Sequence, residues 1–96
     1  MEILVAYDVA TDDAEGKRRL RRVAEVCQAF GQRVQKSVFE CILNEAGFEI
    51  LKHRLIAELE QTKDSVRIYR LTEPRVEHLY LIGKQPTFDI HDPLLI

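Results

Sequence analysis

Short runs of β-branched and aromatic residues alternate with helical apolar stripes along this chain, and that alternation constrains its fold more than any other feature. The first run, Ile3-Leu4-Val5-Ala6-Tyr7-Asp8-Val9, has the length and content of a strand over residues 2–9 buried on both faces. From Ala14 to Phe30 the residues Leu20, Val23, Ala24, Cys27 and Phe30 recur at helical spacing. Asp12 or Asp13 can cap that helix, and Gly31 ends it at C′. Arg33 to Asn44 reads as extended chain, either one bent strand or two short ones, with no Gly or Pro to mark a hairpin. Asn44 to Gly47 is a turn and cap. Phe48, Leu51, Leu55, Ile56 and Leu59 then form a second stripe that ends near Thr62. Asp64 to Leu71 reads as a strand, Glu73-Pro74 breaks it, and residues 78–83 read as a short further strand.

Strand, helix, strand pair, helix, strand is the order of two interleaved βαβ halves. It predicts an α+β, ferredoxin-like βαββαβ layer with an extra C-terminal strand. Helices then cover one face of an antiparallel sheet. The other face carries apolar groups from several strands, and a second copy of the sheet is its simplest cover. The expected state is a homodimer, with the extra strand and the tail reaching across. A chain of 96 residues makes one domain, 1–83, followed by a tail, 84–96, for dimer or partner contact. So short a chain buries a modest share of its surface, and self-association adds burial. No apolar run approaches the roughly 18–20 residues of a membrane span. The start runs straight into a strand without a basic leader, unlike a signal peptide. Cys27 and Cys41 lack metal-ligand spacing and read as reduced core residues of a cytoplasmic protein.

Asp8 closes the first strand, and a central strand has few reasons to carry a carboxylate. Downstream lies Lys17-Arg18-Arg19-Leu20-Arg21-Arg22. Residues 17–36 hold seven Lys or Arg and one acid, a local charge of +6, while the rest of the chain carries −8. Five bases in six residues repel one another at helical spacing. The one-signed excess points to a polyanion footprint on an acidic body. Together they suggest a site that meets phosphate, through a divalent metal or directly.

Three segments carry a resemblance. Tyr7-Asp8-Val9 closes the first strand before an Arg-rich helix. Gly31-Gln32-Arg33-Val34-Gln35-Lys36-Ser37-Val38-Phe39-Glu40 follows, then Asp64-Ser65-Val66-Arg67-Ile68-Tyr69-Arg70-Leu71. In this order, over the whole chain, they resemble CRISPR-associated protein 2. The ending, Gly83-Lys84-Gln85-Pro86 through Asp92-Pro93-Leu94-Leu95, is similar to the version in type I-C systems. The resemblance implies a dimeric, DNA-binding subunit of antiviral defense that bridges double-stranded prespacer DNA with the integrase, CRISPR-associated protein 1, for spacer insertion. It also implies a magnesium- or manganese-dependent endonuclease acting on single-stranded RNA or double-stranded DNA. Asp8 matches the catalytic metal ligand. The helix and loop arginines fall on Arg18, Arg19, Arg21 and Arg33, and the motif phenylalanine on Phe39. Arg22 and Lys36 complete the basic run.

Guanidinium groups grip phosphate without reading sequence, which suits a scaffold for arbitrary DNA. Phe39 is a base-stacking platform, an interface residue or a core residue. One carboxylate per chain is sparse for a nuclease, which favours the scaffold role with conditional hydrolysis second. The rivals are a toxin-type endoribonuclease and a ferredoxin-like RNA-binding or ligand-sensing module. The latter wants a Gly-rich phosphate loop or an aromatic sheet pattern, and neither is present.

Overall fold

The computed structural model describes residues 1–72, 77 and 79–85. Six elements follow in order: β1 (Glu2–Asp8), α1 (Ala14–Phe30), β2 (Gly31–Gln35), β3 (Val38–Ile42), α2 (Glu45–Glu58) and β4 (Ser65–Leu71). The sheet order is β2-β3-β1-β4, with every neighbouring pair antiparallel. Each helix therefore connects two strands that have a third strand between them, the interleaved βαβ arrangement of a ferredoxin-like layer.

Caps set the helix starts. Asp13 accepts the amide of Gly16 at 2.8 Å, and Asn44 accepts that of Gly47 at 2.7 Å. The core lies between helices and sheet: Ile3, Val5 and Tyr7 from β1, Phe39 and Cys41 from β3, Val23, Val26 and Cys27 from α1, and Phe48, Leu51 and Leu55 from α2. Burial pushes the Cys27 and Cys41 thiols up to about 12 and about 11, so both stay protonated.

Several expectations are corrected. β1 is buried on one face only. Ile3, Val5 and Tyr7 point at the helices, while Leu4, Ala6 and Asp8 lie on the far face. Gly31 takes no left-handed C′ conformation. Its backbone is extended, with φ −163°, and it begins β2 directly. A side chain there would meet the Glu40 carbonyl oxygen at 2.3 Å, so close strand pairing explains the glycine. The 33–44 segment is a hairpin with Lys36-Ser37 at its turn and a register shift between Arg33 and Gln35. Among the described residues only Gly83 has positive φ, so the turn needs none of the Gly or Asn signals of a tight hairpin. α2 stops at Glu58, four residues early, because residues 60–64 form a turn with the Lys63 and Asp64 amides on the Glu60 carbonyl. Ile56 is 57% exposed and is no part of the core.

Among the described residues no element covers the sheet face away from the helices. That face presents Leu4 and Ala6 from β1, Val38 and Ile42 from β3, and Tyr69 and Leu71 from β4. Ile42 and Tyr69 remain 43% and 45% exposed. The described part of the expected fifth strand, residues 79–83, pairs with none of the described strands, and Tyr80, Leu81 and Ile82 are exposed. His78 and the tail from Pro86 to Ile96 lie outside the described residues. No described helix is long and apolar enough to cross a membrane.

Candidate functional site

Alternation along β1 puts Asp8 at the last position of the strand, opposite Ser65 of β4. The carboxylate is exposed, contrary to a buried reading, and among the described residues its side chain has no hydrogen-bond or ion-pair partner. Position explains this: Asp8 stands where the strand leaves the sheet.

Beside it runs a groove of about 960 Å³ between α1 and the β2–β3 hairpin. Asp8 and Tyr7 line one end. Lys17 and Arg21 line the α1 wall, and Arg33, Gln35 and Lys36 line the hairpin wall. The hairpin is tied to β1 at this point, since the Tyr7 amide donates to the Ser37 carbonyl at 3.0 Å and the Tyr7 hydroxyl to the Lys36 carbonyl at 3.4 Å.

The structure divides the predicted basic residues into two groups. Arg21, Arg33 and Lys36 come together with Asp8 around the groove, joined by Lys17. Among the described residues Lys17, Arg33 and Lys36 have no carboxylate partner. Arg33 rests over the Phe39 ring at 5.1 Å, and Arg21 reaches Glu25 only at 3.7 Å. Arg18, Arg19 and Arg22 do not line the groove. Arg18 pairs with Glu15 at 3.1 Å and Arg22 with Glu58 at 4.0 Å, both solvent-exposed and weak. Arg19 donates from Nε to Asp64 at 2.8 Å and from Nη2 at 3.4 Å, and the Asp64 side chain is fully buried.

Sequence reasoning placed Asp64 in the strand and missed its part. It precedes β4 and also accepts the amides of Ala10 at 3.0 Å and Glu60 at 2.9 Å. Burial pushes its carboxyl up, but Arg19 and the Glu60 and Ala10 amides outweigh that and hold it below the ordinary carboxylate range. The same hydrogen bond raises Arg19 further. The one available signal was an acid ahead of a β-rich run, too common to single out. Phe39 is corrected from the stacking and interface options to core. It is fully buried and stacks on Tyr7 with ring centroids 6.2 Å apart, so no base can reach it.

Among the described residues no group of three or more His, Cys, Asp or Glu could hold a metal ion. Two carboxylates line the groove, Asp8 and Glu25, and Glu25 faces Arg21 at 3.7 Å, which leaves Asp8 as the unpaired one there. An exposed, unpartnered carboxylate suits magnesium or manganese only if the ion keeps most of its waters or shares a second Asp8 from another copy.

Comparison with known proteins shows the family of the chain. The family model of CRISPR associated protein Cas2 matches residues 1–78. A relative from Moorella thermoacetica, named CRISPR-associated endoribonuclease Cas2 1, is 54% identical over 96 residues, all of both chains. One from Halalkalibacterium halodurans, named CRISPR-associated endonuclease Cas2, is 47% identical over 98 residues, covering 99% of each. The crystal structure of Streptococcus pyogenes Cas2 at pH 6.5 superposes with a TM-score of 0.77 at 43% identity, covering 86% of this chain and 100% of that one.

Proposed function

The chain belongs to the CRISPR-associated protein Cas2 family, and from that premise we propose that it is a homodimeric nucleic-acid-binding subunit of spacer acquisition. In this reading it bridges prespacer DNA to the integrase, CRISPR-associated protein 1, and hydrolyses phosphodiesters conditionally. The observation that carries the reading is the convergence of Asp8 with Lys17, Arg21, Arg33 and Lys36 on one groove. Phosphates bound by these cations lie next to Asp8, the groove carboxylate that no described neighbour neutralises. The contacts are to the backbone of the nucleic acid, so binding is sequence-tolerant.

The open sheet face supports the dimer, because Tyr69, Ile42, Leu4 and Val38 give a second copy an apolar surface to cover. Asp8 shares that face, so a face-to-face dimer brings two such carboxylates to the same layer. The tail, with Phe88, Ile90, Leu94, Leu95 and Ile96, is proposed as the contact for the integrase or the partner copy.

For hydrolysis, a divalent ion at Asp8 would supply charge neutralisation and an activated water. The chain's own residues hold the substrate: Arg33 and Lys36 from the hairpin, Lys17 and Arg21 from α1. Among the described residues no histidine lines the groove. The names of the relatives, endoribonuclease and endonuclease, support such hydrolysis. One unpaired groove carboxylate per chain supports the scaffold as the main role. Cleavage of RNA and duplex DNA by wild type and Asp8→Asn, with and without Mg²⁺ or Mn²⁺, tests the catalytic half. Equal cutting by both proteins refutes a role for Asp8.

A further inference from the structure

We propose that Arg19 and Asp64 form a positioning pair that fixes the backbone around Asp8, and that Arg19 makes no phosphate contact. The inference rests on the reading of Asp8 as the residue that meets the phosphodiester.

Asp64 sits at a junction. Its carboxylate takes hydrogen bonds from three separate segments: Arg19 on α1, Ala10 in the loop after β1, and Glu60 in the turn before β4. Ala10 lies two residues past Asp8. Ser65, next to Asp64, is the register partner of Asp8. One buried carboxylate therefore grips the chain on both sides of the Asp8 pairing. The α1 side is equally close. A side chain on Gly16 would meet the Ala10 carbonyl oxygen at 2.0 Å, so the loop already lies against the first turn of the helix. Asp13 caps that same turn through Gly16.

Energetics argue for placement over stability. A buried ion pair is a poor source of folding energy, and well-packed apolar residues often serve as well. What the pair adds is direction, since charge-assisted hydrogen bonds fix three segments at set angles. Electrostatics argue against a phosphate contact. The Arg19 side chain is 17% exposed, and its charge is answered by a carboxylate that water does not reach. Arg18 and Arg22 differ, because their partners reach water, Glu15 exposed and Glu58 half-buried.

The test compares Arg19→Gln, Asp64→Asn and the milder Arg19→Lys with wild type and Asp8→Asn. One readout is amide hydrogen exchange, which reports local opening. The other is the salt dependence of duplex DNA binding. Positioning predicts that exchange at Asp8, Val9 and Ala10 rises at least about tenfold in Arg19→Gln and in Asp64→Asn. Exchange in the β2–β3 hairpin rises by no more than the loss of global stability seen in urea melts accounts for, so the rise at Asp8, Val9 and Ala10 exceeds it, and the slope of log K against log salt is unchanged. A shallower slope in Arg19→Gln makes Arg19 a phosphate contact and overturns the proposal. A uniform rise in exchange across the domain reduces the pair to a global staple and overturns it too. If the two stronger variants fail to fold, Arg19→Lys decides by the same local-or-uniform comparison. Wild type and Asp8→Asn cutting alike would remove the chemistry assigned to Asp8, while exchange and salt slope still judge the pair.

Discussion

Replacing Arg33 and Lys36 together by Ala should halve the salt sensitivity of DNA binding. Lys17, Arg21, Arg33 and Lys36 line the groove of one chain, and a two-fold dimer presents them twice. With each cation on one phosphate, log K against log salt falls with a slope of about −7. The double variant removes half of these contacts and leaves a slope of about −3.6. Between about 0.05 and 0.2 M salt, wild type then loses roughly 10⁴ in affinity and the variant roughly 10². Fluorescence anisotropy of a labelled duplex over a series of KCl concentrations reads both slopes. Arg33 also rests on Phe39, so thermal melts of each variant and the Lys36→Ala single variant separate lost charge from lost packing. Arg18→Ala with Arg22→Ala is the contrast: these residues lie off the groove, and the slope should hold. If that pair flattens the slope while Arg33 and Lys36 do not, phosphates run along the outer face of α1 and the groove reading fails.

Asp8→Asn should abolish metal-dependent cutting while leaving the dimer and DNA affinity near wild type, as sedimentation and anisotropy would show; cutting at the wild-type rate contradicts it. Ile42→Asp on the open sheet face should yield a monomer by sedimentation, and an unchanged dimer would place the interface elsewhere. Leu51→Ala, at a fully buried position, should destabilise by about 3 kcal/mol and lower Tm by about 15 °C in calorimetry. The Asp64 carboxyl is held low when folded, so the stability it contributes is full above the unfolded value of about 3.9 and disappears as pH falls through the lower folded value. Urea melts should therefore show wild type ahead of Asp64→Asn at neutral pH and the gap closing well below pH 4; a gap independent of pH would mean the charge plays no part.

The elements with strong periodicity were legible. α1 spans the residues its apolar stripe marks, because a capping aspartate and a run of outward arginines leave no other face to bury. The paired β2 and β3 were legible only as extended chain. Their turn carries no positive-φ residue, and the bulge at Val34 breaks the alternation that would have placed it. β1 misled because Leu4 and Ala6 are apolar on a face that no described element covers, and sequence cannot separate a face covered by helices from one covered otherwise. The site was half legible. Asp8 and the basic segment stand out by charge, but which arginines face the groove depends on helix phase and on partners. Arg19 and Arg21 look alike in sequence, yet one meets a buried acid 45 residues away and the other lines the groove.

The sheet order carries a consequence for synthesis. β1 leaves the ribosome first but occupies an interior place, bonded to β3 on one side and β4 on the other. Its register with β4 joins Glu2 to Leu71, so the last ladder cannot close until nearly the whole folded core has been translated. At about 5–20 residues per second, the nascent first strand waits several seconds with an apolar edge unpaired. Early segments can form α1 and the β2–β3 hairpin, whose contacts are local, but not a stable half-domain. Folding is then a late, single event, and a chain released before residue 65 has no native partner for one edge of β1 and is a substrate for chaperones or proteases.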